Sequence, residues 1–367
     1  MTIKRQLLTI NQRSVDVRIG EGALEELSSF AGGIVGKPKR AFLLAGADID
    51  QSVLSNVERG LVDAGFGIEL QVLPADGNPR SFAAATSLFE RFGRAGMTED
   101  DLVLAVGDVP LCSLAAFVAK LWCGGMACAL VPTGLDGMTM LATEMSPLGE
   151  GEAFGMVSLL PQPSMVICDL SFLPAMDQDA RLGGYVRMVG AALSDGKRFW
   201  DSLTQRAGDL VSHDADALTD LLVSTMIARR NIVKAVNPAA RRALSYGTVT
   251  ARALKACLGD EVPGYALLAE GMAFEARLAV EACNLDAQVV FDQDDLLFDL
   301  GIDELPFKLD AKALVDAIRA EQLRHSNRTM LALPRSIGSI RLAAVDDELL
   351  LRHAEAYTAS RAELVED

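Results

Sequence analysis

The chain has 367 residues, half of them apolar and 23% charged, with a net charge of -16. That is enough apolar sequence for one large core or two, and the charge content argues against disorder. The acidic balance, with no short run that concentrates Lys and Arg, argues against a nucleic-acid partner, which needs a basic face, and against an anionic membrane surface.

In chain order, the opening residues lead into mixed polar sequence with no apolar signal-like core, so a cytoplasmic location is expected. Residues 15–19 alternate like a strand, and 21–30 carry helical spacing. Residues 40–45 form an apolar run, followed by helix-like spacing over 51–64. The alternation repeats: a strand over 68–73, a helix over 80–93, a strand over 102–106, a helix over 111–122 and a strand over 127–131. The apolar stretch from 102 to 135 is interrupted by Asp108, Pro110, Lys120 and a Gly124-Gly125 pair, so it predicts buried strands and a helix, with no membrane span. Residues 134–137 read as a turn. Beyond Pro174 the segments become long, rich in Ala and Leu, and helical in period, over 180–192, 216–236, 249–258 and 267–283. A short strand signal returns at 330–333. The pattern predicts an α/β domain with a Rossmann-like parallel sheet over 1–173 and a mostly helical domain over 174–367. A cleft between such domains is the default place for a ligand.

The six cysteines, Cys112, Cys123, Cys128, Cys168, Cys257 and Cys283, form no CxxC pair and read as reduced core residues. Only three histidines occur, His213, His325 and His353, and no two share metal-ligand spacing.

Several short stretches follow one another along nearly the whole chain: Ile19-Gly20-Glu21-Gly22, Val72-Leu73-Pro74, Val103-Leu104-Ala105-Val106-Gly107, Val131-Pro132-Thr133, Leu244-Ser245-Tyr246-Gly247, Gly271-Met272 and Leu333-Pro334-Arg335. In their order and spacing they resemble the 3-dehydroquinate synthase family of sugar phosphate cyclases. The resemblance implies the two-domain dehydroquinate synthase-like fold, a homodimer, bound NAD and a zinc held by one Glu and two His. It places the Glu at Tyr185 and the histidines at Thr248 and Gly264. Thr and Gly are poor zinc ligands and a neutral phenol is little better, so no zinc is expected.

The resemblance also points to an eroded substrate site. Met188, Met140, Ser146 and Gly124 stand where it implies charged groups, and Arg252 replaces a further His. Lys234 and Arg241 are the apparent survivors. A methionine cluster, Met138, Met140, Met145 and Met156, suggests apolar filling of the old cavity. For the nucleotide, the candidates are Asp48, Gly107, Asp108 and Thr133. The implied glycine-rich loop keeps only Gly107, and Asp108 adds negative charge where a diphosphate would meet a helix N-terminus, so NAD binding is expected to be weakened.

Three functional readings follow. One is a non-catalytic paralogue with a binding or regulatory role, as a homodimer or in association with an active paralogue. The second is a metal-independent enzyme acting on an anionic, sugar-phosphate-like substrate, in which Tyr185, Lys234, Arg241 and Arg252 converge. The third is an active 3-dehydroquinate synthase.

Overall fold

The computed structural model describes residues 3–10, 13–160 and 162–365, with the backbone alone at Glu152, Pro238, Ala239 and His325. The chain divides into two compact units, Met1–Asp177 and Gln178–Asp367.

Among the described residues the first unit holds the strands β1 (Lys4–Ile10), β2 (Arg13–Gly20), β3 (Arg40–Gly46), β4 (Gly67–Leu73), β5 (Leu102–Gly107), β6 (Ala127–Pro132), β7 (Ser146–Leu148), β8 (Val157–Leu159) and β9 (Met165–Asp169). Its helices are α1 (Leu27–Val35), α2 (Gln51–Asp63), α3 (Phe82–Ala95), α4 (Val109–Leu121) and α5 (Leu135–Met140). Seven strands form one sheet in the order β1-β2-β9-β6-β5-β3-β4. All its pairs are parallel except β1 with β2. Every residue of β5 is buried, because a parallel strand covered on both faces has no polar side. Leu43, Leu104, Val106, Ala129 and Ile167 of the sheet pack on Leu27, Val57 and Leu61 of the covering helices.

Caps set several helix starts. Asp50 accepts a hydrogen bond from Ser52 N–H at 2.7 Å, and Ser81 from Ala84 N–H at 3.0 Å. The expected turn at 134–137 is instead the start of α5, where Gly134 is the N-cap and Met138 N–H donates back to Gly134 O at 3.0 Å.

The second unit contains α6 (Gln178–Asp195), α7 (Lys197–Gln205), α8 (Ala207–Val211), α9 (Ala215–Val233), α10 (Pro238–Arg241), α11 (Thr248–Leu258), α12 (Gly264–Cys283), α13 (Ala287–Asp299), α14 (Ala311–His325) and α15 (Asp347–Glu363). One antiparallel hairpin, β10 (Met330–Ser336) with β11 (Ser339–Ala344), joins them. Among its close neighbours α12 has α6, α11, α13 and β10. Where α11 meets α12 there is no room for side chains: a Cβ on Gly271 would lie 2.1 Å from Gly247 O. Gly247 itself has φ +74° and begins α11 from the left-handed region. The α/β sheet unit followed by a helical unit is the fold class the sequence predicts. No helix among the described residues is long and apolar enough to cross a membrane.

Candidate functional site

In the first unit the sheet changes direction at β3: β4 adds on one side and β5 on the other. Ligands of open α/β sheets collect at such a switch, beyond the carboxyl ends of the strands. The structure brings the four nucleotide candidates to that end. Asp48 follows β3, Gly107 ends β5, Asp108 follows it, and Thr133 follows β6. Thr133 N–H donates to Gly107 O at 3.1 Å.

Asp108 is the N-cap of α4, and its carboxylate accepts from Leu111 N–H at 2.9 Å. Its pKa is raised, chiefly by burial, with Asp48 adding repulsion, while the Leu111 N–H and Arg80 oppose the rise. Thus the N-terminus of α4 already holds a negative group of its own. Leu111 covers the open side of Gly107, with Cδ2 3.2 Å from where a Cβ would stand. Arg80 reaches over the Phe154 ring at 5.2 Å, and Asn78 donates to Glu150 at 3.0 Å. Of the methionine cluster, Met138 and Met140 are buried, but Met145 and Met156 are exposed, so the filling is only partial.

In the second unit, Tyr185 lies in the core of α6, 2% exposed, and its hydroxyl donates to Leu210 O at 2.7 Å. Burial pushes its pKa up to about 12, so the phenol stays neutral. Arg252 points to α14, where it pairs with Glu321 at 2.7 Å. Lys234 and Arg241 are exposed. The four residues of the metal-independent reading are therefore not gathered into one catalytic group: Tyr185 is held by α8 and Arg252 by α14. Thr248 and Gly264 are the first residues of α11 and α12. Among the described residues no group of three or more His, Cys, Asp or Glu comes together as a metal cage. The side chain of His325 lies outside the described residues, while His353 Nε2 is 3.0 Å from Phe274 O. Burial lowers the His353 pKa to about 4.

Sequence reasoning missed two buried carboxylates five residues apart on α12, Glu270 and Glu275. Glu270 meets Arg361, and Tyr357 donates to it at 2.5 Å. Glu275 has no basic partner in its hydrogen bonds. It accepts from Gly247 N–H at 2.7 Å and from the Thr250 hydroxyl at 2.8 Å, pinning the start of α11. Burial raises its pKa to about 7, against those two hydrogen bonds.

A recess of about 30 Å³ also went unread. Arg187, Ser194, Arg229, Tyr246, Thr248 and Met272 are among the residues that line it. Arg187, Gly190, Ala191 and Ser194 follow the i, i+3, i+4, i+7 spacing of one helix face, which was a usable signal. The resemblance points instead to Tyr185 and Met188 of the same helix.

No family model matches the chain. It is 27% identical over 365 residues to the 3-dehydroquinate synthase of Thermobifida fusca, covering 98% of this chain and 97% of that one. It is 25% identical over 350 residues to the 3-dehydroquinate synthase of Sulfurisphaera tokodaii, covering 93% and 96%. In three dimensions it superposes with a TM-score of 0.83 on 2-deoxy-scyllo-inosose synthase complexed with carbaglucose-6-phosphate, NAD+ and Co2+. That likeness, at 15% identity over 96% of this chain and all of the other, is one of fold. Along nearly its whole length the chain is thus similar in sequence to 3-dehydroquinate synthases, and it shares the fold of 2-deoxy-scyllo-inosose synthase.

Proposed function

We propose that this chain does not run the phosphate-eliminating, ring-closing reaction of 3-dehydroquinate synthases and instead has a binding or regulatory role on their fold. The observation that carries this reading is Tyr185. At the place where the resemblance puts the zinc-binding carboxylate there is a buried phenol whose hydroxyl is engaged by Leu210 O. With a hydroxyl at Thr248 and no side chain at Gly264, this donor set does not fit zinc, which takes thiolate, imidazole or carboxylate.

The strand ends of the first unit fit NAD poorly for an electrostatic reason. A diphosphate approaching the N-terminus of α4 meets the Asp108 carboxylate where it needs open N–H donors. A homodimer, or pairing with an active paralogue, belongs to the same proposal; light scattering after size-exclusion chromatography tests the first. The functional reading is tested by elemental analysis of the purified protein together with phosphate release from the sugar-phosphate substrate of the relatives. Metal far below stoichiometric and no release are expected. Stoichiometric zinc, or turnover, overturns it.

A further inference from the structure

The helix α13 turns two phenylalanines to solvent. Phe291 and Phe298 are 60% and 70% exposed, the most exposed aromatic side chains among the described residues. They stand seven residues apart, so both lie on one face of the helix, with Asp295 between them. The opposite face is the buried one and carries Val290, Gln293, Leu296 and Leu297. Polar contacts fix that orientation. The Tyr246 hydroxyl donates to Gln293 Oε1 at 2.7 Å, and Asp294 pairs with Arg277 of α12 at 2.7 Å. Rolling α13 to bury its phenylalanines would break both contacts and strand buried polar groups. The outward aromatic face is therefore built into the packing.

The charge around the two rings has one sign. α13 contains four aspartates, Asp292, Asp294, Asp295 and Asp299, and no Lys or Arg. Asp294 is taken by Arg277, and Asp292 accepts from Gln288 Nε2 at 2.8 Å. Asp295 and Asp299 are exposed and form no ion pair among the described residues. They lie toward the end of α13, where carboxylates face the negative pole of the helix dipole and cost stability. Fold stability thus accounts neither for the exposed rings nor for the carboxylates beside them.

We propose that the outer face of α13 docks a basic amphipathic helix of a protein partner. The partner's apolar residues pack on Phe291 and Phe298, and its Lys or Arg side chains lie against Asp295 and Asp299, where the dipole of α13 also favours a cation. A second copy of this chain suits the face less well, because two such faces bring aspartates against aspartates. The inference deepens the binding role proposed above by naming the partner's chemistry, and it rests on that role.

The test is fluorescence anisotropy of the full chain with a labelled synthetic peptide of leucine and lysine, patterned as an amphipathic helix. A leucine–glutamate peptide of the same pattern is the control. Saturable binding of the lysine peptide, weakened by salt, is expected, with none of the glutamate peptide. Phe291→Ser together with Phe298→Ser should weaken binding about tenfold or more, as loss of aromatic anchors does. Asp295→Asn together with Asp299→Asn should weaken it less and flatten the salt dependence. Glu99→Gln with Asp100→Asn, which neutralises two exposed carboxylates of the first unit, should leave binding unchanged. Circular dichroism checks folding; should the double phenylalanine variant unfold, Phe298→Ser at the more exposed position decides alone. No saturable binding of the lysine peptide, equal binding of the glutamate peptide, phenylalanine variants that bind like wild type, or an equal loss in the first-unit control overturns the inference. So does a dimer that the phenylalanine variant dissociates in light scattering, because a second copy then covers this face. A zinc-free, inactive protein that does not bind the lysine peptide keeps the functional reading and loses this one, whereas stoichiometric zinc or turnover overturns the functional reading itself.

Discussion

At the strand ends of the first unit, ionised groups sit on caps and loops: Asp48 after β3, Asp108 at the start of α4, and Arg80 facing them. In the second unit they are built into the helical interior. Glu270 and Arg361 are both nearly inaccessible, Tyr357 bonds to both, and Glu304 closes on Arg361 at 2.8 Å. Five residues along α12, Glu275 is equally buried and accepts from N–H and hydroxyl donors. A charge on a rim can change with little disturbance to the fold, so the strand ends are where ligand preference drifts cheaply. A charge in a packed interior is tied to its partners, and losing one leaves the other stranded.

The largest effect should come from stranding a buried charge. Arg361→Ala leaves Glu270 without its cation and should lower unfolding free energy by about 3–5 kcal/mol, read as a fall in the urea midpoint at unchanged slope. A loss below about 1 kcal/mol would mean that this network behaves like a surface pair.

The next effect is a pair of opposed pH dependences. Glu275 has its folded pKa raised from 4.5 to about 7, so its stabilising contribution is full below pH 4.5 and is lost as pH rises through 7. His353 has its folded pKa lowered from 6.5 to about 4, so its contribution is full above pH 6.5 and is lost as pH falls through 4. Each is worth about 3 kcal/mol across its window, at 1.36 kcal/mol per pKa unit. Between pH 4.5 and 6.5 the two slopes oppose and largely cancel. Urea melts across that range should show Glu275→Gln with stability that rises with pH, and His353→Gln with stability that falls. Parallel slopes in the two variants would contradict the assignment.

A smaller effect belongs to the rim. Asp108→Asn keeps a good N-cap and should change stability by no more than about 0.5 kcal/mol. It should also enlarge the thermal shift produced by millimolar NAD. An unchanged response would show that shape, with Leu111 over Gly107, excludes the nucleotide rather than charge. Smallest of all, Arg252→Ala removes a half-exposed pair with Glu321 and should cost up to about 1 kcal/mol.

Much of this was legible in the sequence, for uneven reasons. β5 and β6 announce themselves because fully buried parallel strands are continuous apolar runs. β1, by contrast, is an edge strand with alternating exposure and only two fully buried residues, so its apolar run is faint and it escaped notice. α13, α14 and α15 are likewise absent from the predicted elements, although Asp286, Asp310 and Asp346 are N-caps of a type the sequence displays. The nucleotide candidates rest on the resemblance, whose short stretches lie at strand ends and are local in the sequence. The recess was not legible, because Arg187 and Arg229 belong to different helices and meet only through tertiary packing. Glu275 was invisible for the same reason: its partners, Gly247 and Thr250, lie 25 or more residues away.

The close approach of Gly247 and Gly271 bears on how this site can change over generations. With backbone against backbone, the origin of α11 is a fixed datum, and Thr248, the very next residue, inherits that fixity. A lineage can trade the side chain at 248 freely but cannot move the platform that presents it. In a saturation library screened for folded protein, positions 247 and 271 should tolerate almost nothing, while 248 accepts many residues. The scaffold thus fixes where a new chemistry could be presented and leaves open which chemistry that is.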